Sequence, residues 1–304
     1  MAKALVTGGA GFIGSHLVDA LVARGDEVTV LDDLSTGKKA NLAHIAVPIT
    51  FIEGSVDDYD TVAKASKGVD TIFHLAAIAS VQKSVEAPIV THRVNTQGTL
   101  TVFEVAHRRG IPKVVYVSSS AVYGNLPELP KNESMPCCPK TPYALHKMIG
   151  EKYARMYHEL HNLHTVGLRF FNVFGPRQDA LSPYSGVISL FHKKIKAGEA
   201  ITIFGDGETT RDFTFVSDAV SALLTAEEKG SAGSVYNIGT GHETSLNQLV
   251  DALEQVLGVS ATAAHAPERI GDIKRSVADI SKARTELGWE PQVEFNEGIQ
   301  KLAS

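Results

Sequence analysis

The chain opens with a short apolar run, Ala4, Leu5 and Val6, that stops at three spaced glycines, Gly8, Gly11 and Gly14. Beyond them Ile13, Leu17 and Leu21, with Val18 and Val22 beside them, recur at the spacing of one helical face, and Arg24 and Gly25 end the repeat. Residues 27–31 alternate as a strand does and lead to Asp32. Apolar runs at 49–53, 69–75, 113–117 and 165–171 predict a third to a sixth strand, with helical patterns between them. Such alternation predicts an α/β fold built on a doubly wound parallel sheet covered on both faces. Residues 91–109 read as one helix with apolar side chains on more than one side (Val94, Leu100, Val102, Phe103, Val105), leaving one side for a partner subunit. Near the C-terminus Ser245 and Gln248 have capping-box spacing, Leu246, Leu249, Val250, Leu253 and Leu257 form an apolar face, and Gly258 ends that helix.

The first strand, glycine turn, helix and second strand together predict a dinucleotide site. A helix N-terminus carries unpaired N–H groups and a partial positive charge, so it stabilises a pyrophosphate wherever no side chain blocks the approach. Glycines at 8, 11 and 14 leave that approach open. Asp32 follows about 20 residues later, where a carboxylate accepts hydrogen bonds from the adenosine ribose and repels a 2′-phosphate, which favours NAD over NADP. Ser35, Thr36 and Gly37, in the polar turn that follows, continue the grip on the adenosine half.

After the fifth strand, VSSSAVYG sets Ser118, Ser119 and Ser120 at the sheet edge where ligands of such folds bind. Thr141 is placed to cap the next helix, with Pro142 at its first position and Tyr143 and Lys147 one turn apart on the same side. A phenol is a poor base at neutral pH, but a neighbouring ammonium favours the phenolate. A serine that holds a substrate hydroxyl, with Tyr143 taking its proton, suits alcohol oxidation by nicotinamide without a metal. His146 is expected to point outward, off the line of Tyr143 and Lys147.

At 304 residues the chain is long enough for one large or two intimate domains, and its formal net charge of −5, with no block of Lys or Arg, argues against a nucleic-acid surface. No apolar run approaches the ~18 residues of a membrane span, and the N-terminus passes directly into the first strand, so a cytoplasmic location is expected. Cys137 and Cys138 are adjacent, which suits reduced loop thiols and neither a disulfide framework nor a zinc site.

The markers TGGAGFIG, DDLSTG, HLAA, VSSSAVYG, YALHK, RFFNVFGPRQ, IFGDGETTRDF and GDIKRS run in order through nearly the whole chain. In them the sequence resembles the extended short-chain dehydrogenase/reductases, specifically the UDP-glucose 4-epimerase-like enzymes. The resemblance implies a Rossmann-type domain over residues 1–168 plus about 211–238, and a smaller α/β C-terminal substrate domain over 169–210 and 239–304. It also implies tightly held NAD, a UDP-sugar substrate and a homodimer. By it Phe12, Ile13, Asp33, Leu75, Ala76, Ala77 and Ser118 join the glycines at NAD, Lys147 touches the nicotinamide ribose, and the catalytic hydroxyl is Ser119, with Ser120 as the alternative. Asn172, Arg211 and Arg269 would hold the sugar-linked diphosphate, Val187 and Ile188 would lead into a helix that closes on the nucleotide, Ile203 and Phe204 would lie around the base, and Asp272 would bind its ribose. Ser276, four places on, is a small residue of the kind that leaves room for a 2-acetamido group.

Two departures bear on function. Where the family carries an acid for adenine, this chain has Gly54, Ser55 and Val56, so that contact weakens or passes to backbone groups. Related dehydratases carry an Asp-Glu pair directly after the catalytic hydroxyl, and a decarboxylase a nearby glutamate; here Ser119 is followed by Ser120, Ala121 and Val122. The expected activity is therefore 4-epimerisation of UDP-glucose and UDP-galactose through a 4-keto sugar, extending to the N-acetyl sugars. The alternatives are a UDP-glucuronate 4-epimerase and a nucleotide-sugar reductase, and last a non-enzymatic NAD-binding module.

Overall fold

Strand segments with no exposed face organise the protein: Leu5, Val6, Val30, Leu31, Ile72, Phe73, Val114 and Val115 are all fully buried, as in a parallel sheet covered by helices on both sides. The computed structural model describes residues 1–179, 186–267 and 273–303. In order, β1 (Lys3–Thr7), α1 (Phe12–Arg24) and β2 (Glu27–Asp32) come first, then β3 (Thr50–Glu53), α2 (Tyr59–Ala65) and β4 (Thr71–His74). Next are α3 (Val81–Glu86), α4 (Pro88–His92), one π turn over Arg93–Gln97, α5 (Gly98–Arg108), β5 (Lys113–Ser119), α6 (Pro142–His161) and β6 (His164–Phe170). The second half carries β7 (Asn172–Phe174), α7 (Val187–Lys196), β8 (Ile201–Phe204), β9 (Thr210–Arg211), β10 (Phe213–Phe215) and α8 (Val216–Lys229). It ends with β11 (Ser234–Ile238), β12 (Thr244–Ser245), α9 (Leu246–Leu257), β13 (Ala263–Ala266) and α10 (Phe295–Ala303).

Seven strands pair in the order β11-β6-β5-β4-β1-β2-β3, every pair parallel. The chain reverses direction across the sheet between β1 and β4, so a crevice opens at their carboxyl ends, the place where ligands bind in such sheets. Register brings Thr7 level with both Leu31 and His74, so the glycine turn, Asp32 and the loop after β4 meet at that edge. One sheet face is covered by α1 and α8 through Leu17, Leu21, Ala219 and Leu223; the other by α2, α5 and α6 through Val62, Val102, Phe103, Ala154 and Tyr157. A third apolar cluster joins α7, β8, α9 and α10, with Phe191, Ile201, Leu253 and Ile299 at its centre.

The six expected strands are present, with ends shifted by one or two residues, and the sheet gains a seventh, β11, at the edge beside β6, which the sequence reading did not identify. The capping box of Ser245 and Gln248 forms, and Gly258 takes the left-handed conformation (φ 68°) after α9. Residues 91–109 are not one helix: α4, the π turn and α5 divide them, and Val102, Phe103 and Val105 are fully buried. The exposed apolar face lies elsewhere, on α3 and α4 (Val85, 61 % exposed; Ile89, 84 %) and on α6 (Leu145). Among the described residues no helix is long and apolar enough to cross a membrane.

Candidate active site

The glycine turn is built by close approach. Gly8 has φ +72°, and a Cβ there would lie 2.8 Å from the Ala76 nitrogen; a Cβ on Gly14 would lie 2.1 Å from the Gly8 carbonyl oxygen. The α1 N-terminus begins after Gly11 with no side-chain cap and no acidic residue in its first turn, so its leading N–H groups are offered to an anion. Asp32 ends β2 buried, one carboxylate oxygen accepting from Ala10 N at 2.9 Å and the other from Leu34 N at 2.8 Å. Burial raises its pKa and those backbone bonds oppose the rise. Each oxygen keeps lone-pair capacity for a ribose hydroxyl. Gly37 packs on the same carboxylate, where a Cβ would fall 2.6 Å from its Oδ1. In the next turn Asp33 accepts from both the backbone N and the hydroxyl of Ser35, at 2.9 and 2.6 Å, and Thr36 is exposed. These groups fit a dinucleotide with a free adenosine ribose. Val56 is buried against Gly98, so at this edge only its backbone can serve a ligand; Ser55 is half-buried.

A network that sequence reasoning missed holds the loop of Leu75, Ala76 and Ala77. Ala76 N donates to Thr7 Oγ1 (3.3 Å), Thr7 Oγ1 lies 2.8 Å from His74 Nδ1, His74 Nε2 lies 3.0 Å from Thr99 Oγ1, and Thr99 donates to Asn95 O (2.7 Å). Since Thr99 spends its proton on Asn95, it accepts from His74 Nε2–H, and Thr7 then donates to Nδ1. Burial, with the charge of Lys147 adding, pushes His74 down to about 3, so it is neutral. Asn95 grips Ile78 from both sides, accepting from its N (2.7 Å) and donating to its O (3.0 Å). The only sequence signal was the polar His at the end of an otherwise apolar strand.

Thr141 caps α6, its hydroxyl accepting from Ala144 N at 3.3 Å, with Pro142 at the first position as expected. Tyr143 and Lys147 lie one turn apart, the ammonium 5.9 Å from the phenol ring centre and donating to Val117 O at 2.8 Å. Of the three serines, Ser119 is the one whose side chain acts on the Tyr143 phenol, favouring its ionised form, and its hydroxyl accepts from Ala121 N at 3.2 Å. Burial raises the Tyr143 pKa and the Ser119 side chain opposes it, while burial brings Lys147 down to about 8, with Glu151 working the other way. The ammonium therefore does not outweigh burial at Tyr143, contrary to the sequence expectation. Ser120 begins a 3-10 turn over Ser120–Tyr123.

Two side chains turn the other way from expectation. Ser118 faces off the ligand edge: its hydroxyl donates to buried Glu151 at 2.5 Å, because successive strand residues alternate sides and Ser119 holds the site side. Glu151 in turn receives Arg169 through Nε (2.9 Å) and Nη2 (2.7 Å), and Arg169 reaches the Tyr123 hydroxyl at 2.8 Å and Cys137 Sγ at 3.3 Å. His146 is not outward but 4 % exposed, packed edge-on against His92 with ring centres 5.4 Å apart, because α4 and the π turn cover that side of α6.

In the second half Asn172 is exposed at the start of β7, its N donating to Asp212 O at 3.0 Å. Arg211 donates from Nη1 to Ile273 O (2.6 Å) and Thr210 O (2.8 Å), and Ser276, three residues after Ile273, is buried. Val187 is half-buried at the start of α7 and Phe204 half-buried at the end of β8. Ile188 and Ile203 are both buried in the third apolar cluster, packed among α7, β8 and α9. Arg269 and Asp272 lie outside the described residues.

Comparison with known proteins agrees with this geometry. The model of the NAD dependent epimerase/dehydratase family matches residues 4–239. The chain is 43 % identical to a UDP-glucose 4-epimerase of Mycolicibacterium smegmatis over 98 % of its own length and 96 % of that protein's. It superposes on the crystal structure of UDP-glucose 4-epimerase with UDP-glucose from Thermotoga maritima with a TM-score of 0.95 at 38 % identity, covering 99 % of this chain and 97 % of that one. UDP-N-acetylglucosamine 4-epimerase from Methanobrevibacter ruminantium, in complex with UDP-N-acetylmuramic acid, gives the same TM-score at 40 % identity and the same coverage. NAD is the cofactor of such enzymes, and the chain thus belongs to the NAD-dependent epimerase/dehydratase family.

Proposed function

We propose that this enzyme is a nucleotide-sugar 4-epimerase acting on UDP-glucose and UDP-galactose, and on their N-acetyl forms. The observation that carries the reading is the grouping of Ser119, at the end of β5, with Tyr143 and Lys147 of α6: the Ser119 side chain favours the Tyr143 phenolate, the Lys147 ammonium lies 5.9 Å from the phenol ring centre, and Ser119 is followed in the chain by Ser120, Ala121 and Val122, where a dehydratase or decarboxylase would need an acid. Bound NAD supplies the acceptor, and then the donor, of a hydride. Ser119 holds the sugar 4-hydroxyl, and Tyr143 takes its proton as the C4 hydride leaves. Lys147, held by Val117 O with its ammonium 5.9 Å from the Tyr143 ring centre, carries its charge beside the site below about pH 8. The 4-keto sugar turns over, Tyr143 returns the proton, and the hydride comes back to the opposite face of C4, so nothing is consumed.

On the substrate side Asn172 and Arg211 would meet the diphosphate, for which a guanidinium fork is suited. Arg269 and Asp272 complete the expected set. Ser276, small and 9 % exposed, supports acceptance of an acetamido group. The exposed Val85, Ile89 and Leu145 favour a homodimer, with α3, α4 and α6 at its interface, and the location proposed is the cytoplasm.

Proton NMR of the purified protein with UDP-galactose and no added cofactor tests the reading. A stable mixture with UDP-glucose is expected; consumption of NADH with release of a reduced sugar would identify a reductase instead, and inertness even with NAD would rule out UDP-galactose.

A further inference from the structure

Asp212 is fully buried, carries an ionisable carboxyl, and has no part in the chemistry above. Its carboxylate accepts four hydrogen bonds: Oδ1 from Thr240 N (2.7 Å) and Thr240 Oγ1 (2.7 Å), Oδ2 from Gly241 N (3.0 Å) and Ala278 N (3.1 Å). Gly239 is pressed against it, since a Cβ there would fall 2.6 Å from Oδ2. Its backbone oxygen accepts from Asn172 N at 3.0 Å. One residue thus joins three separate stretches: the start of β7, the turn after β11, and the segment that ends at Ala278. Arg211 precedes it directly. The last segment is tied to β9 at further points, through Thr210 N to Lys274 O (2.9 Å), Arg211 Nη1 to Ile273 O (2.6 Å), and Glu243, which accepts from Arg275 Nε (3.0 Å) and from the Thr210 hydroxyl.

We propose that Asp212 is a positioning residue for the nucleotide-sugar: it fixes Asn172, Arg211 and Ser276 relative to one another, so that the substrate arm is formed before the ligand arrives. The inference rests on the substrate reading given above. A buried carboxylate is suited to the task because it offers acceptors only, and all four of its partners are donors. An amide at this position turns an NH2 toward N–H groups and breaks the tie on one side. None of these bonds reaches Ser119, Tyr143 or the glycine turn, so the effect belongs to substrate affinity and not to turnover.

The test uses the full-length holoenzyme and the variants Asp212→Asn and Thr240→Val. For Asp212→Asn, KM for UDP-galactose and the calorimetric Kd for UDP rise together by about 10- to 100-fold, with kcat and bound NAD unchanged. Thr240→Val, which removes only the side-chain donor, raises both by about 2- to 10-fold. A fall in kcat proportional to lost folded protein, with KM and Kd unchanged, overturns the proposal; so does an unchanged KM in Thr240→Val, which decides the matter if Asp212→Asn does not fold. If the wild type binds UDP in an Asp212-dependent way yet does not epimerise UDP-galactose, the substrate reading fails and the positioning role stands. Absence of UDP binding by the wild type overturns both.

Discussion

Tyr143 is harder to deprotonate than a free phenol, since burial raises its pKa and the Ser119 side chain opposes the rise only in part. A base in that state works by proximity to the hydroxyl it serves, and removing its oxygen should be felt in turnover and little in binding. Tyr143→Phe is expected to lower kcat for UDP-galactose by about 10²- to 10⁴-fold while the Kd for UDP, read by calorimetry, stays within a factor of two or so. His74 makes a prediction about pH. Its pKa is near 6.5 in an unfolded chain and about 3 in the folded protein, so between those values the unfolded state holds a proton that the folded state lacks. Stability therefore falls as pH drops below about 6.5, by up to ~1.4 kcal/mol per pH unit from this one group. His16, His146 and His192 are lowered as well and share the direction. Urea titrations at pH 6.5, 5.5 and 4.5 should show His74→Asn with the shallower loss; an identical slope would mean that His74 is not the neutral link between Thr7 and Thr99.

At the scale of elements, the glycine turn and α1 act as one piece, and the spacing of Gly8 and Gly14 is set by a backbone contact that admits no Cβ. Gly14→Ala must push the helix start away from Gly8, at a cost of about 1–3 kcal/mol, and so should weaken NAD retention roughly 10- to 100-fold, measured as cofactor released on desalting. That turn was readable in the sequence because its geometry is local, as were the Thr141–Pro142 start of α6 and the Ser245–Gln248 capping box. What escaped depends on neighbours distant in the chain. His146 is inward because α4 and the π turn cover it, and no helical period within α6 announces His92. Ile203 lies on β8 on the same side as Ile201, in the cluster with α7 and α9, a burial that the motif alone does not announce. Ser118 was open to correction from strand alternation alone; three consecutive hydroxyls hid the fact that Ser118 and Ser119 face opposite ways. The His74 and Asp212 networks join residues up to 69 and 66 positions apart, and no local pattern carries such pairings.

For the molecule as a whole, one group of exposed apolar side chains stands on neighbouring helices: Val81, Val85, Ile89 and Val90 on α3 and α4, which pack against α6 with its exposed Leu145. An exposed cluster of this kind marks an association surface, and most soluble homo-oligomers are twofold dimers with self-complementary patches. The same helices also support the chemistry, since Ser84 of α3 accepts from Tyr143 N at 3.0 Å at the start of α6. A partner seated on α3 and α4 would hold Ser84 against that helix start, and so would steady Tyr143 without touching it. Ile89→Glu places a charge where the proposed dimer would need an apolar contact, and that proposal predicts that sedimentation velocity shows the wild type as a dimer and Ile89→Glu as a monomer at the same concentration. Its kcat should fall while bound NAD stays constant, because α1 and the glycine turn lie on the opposite sheet face from α6. If Ile89→Glu sediments as the wild type does, this face is not the interface; if it dissociates with kcat intact, the Ser84 contact holds Tyr143 without help from a second subunit.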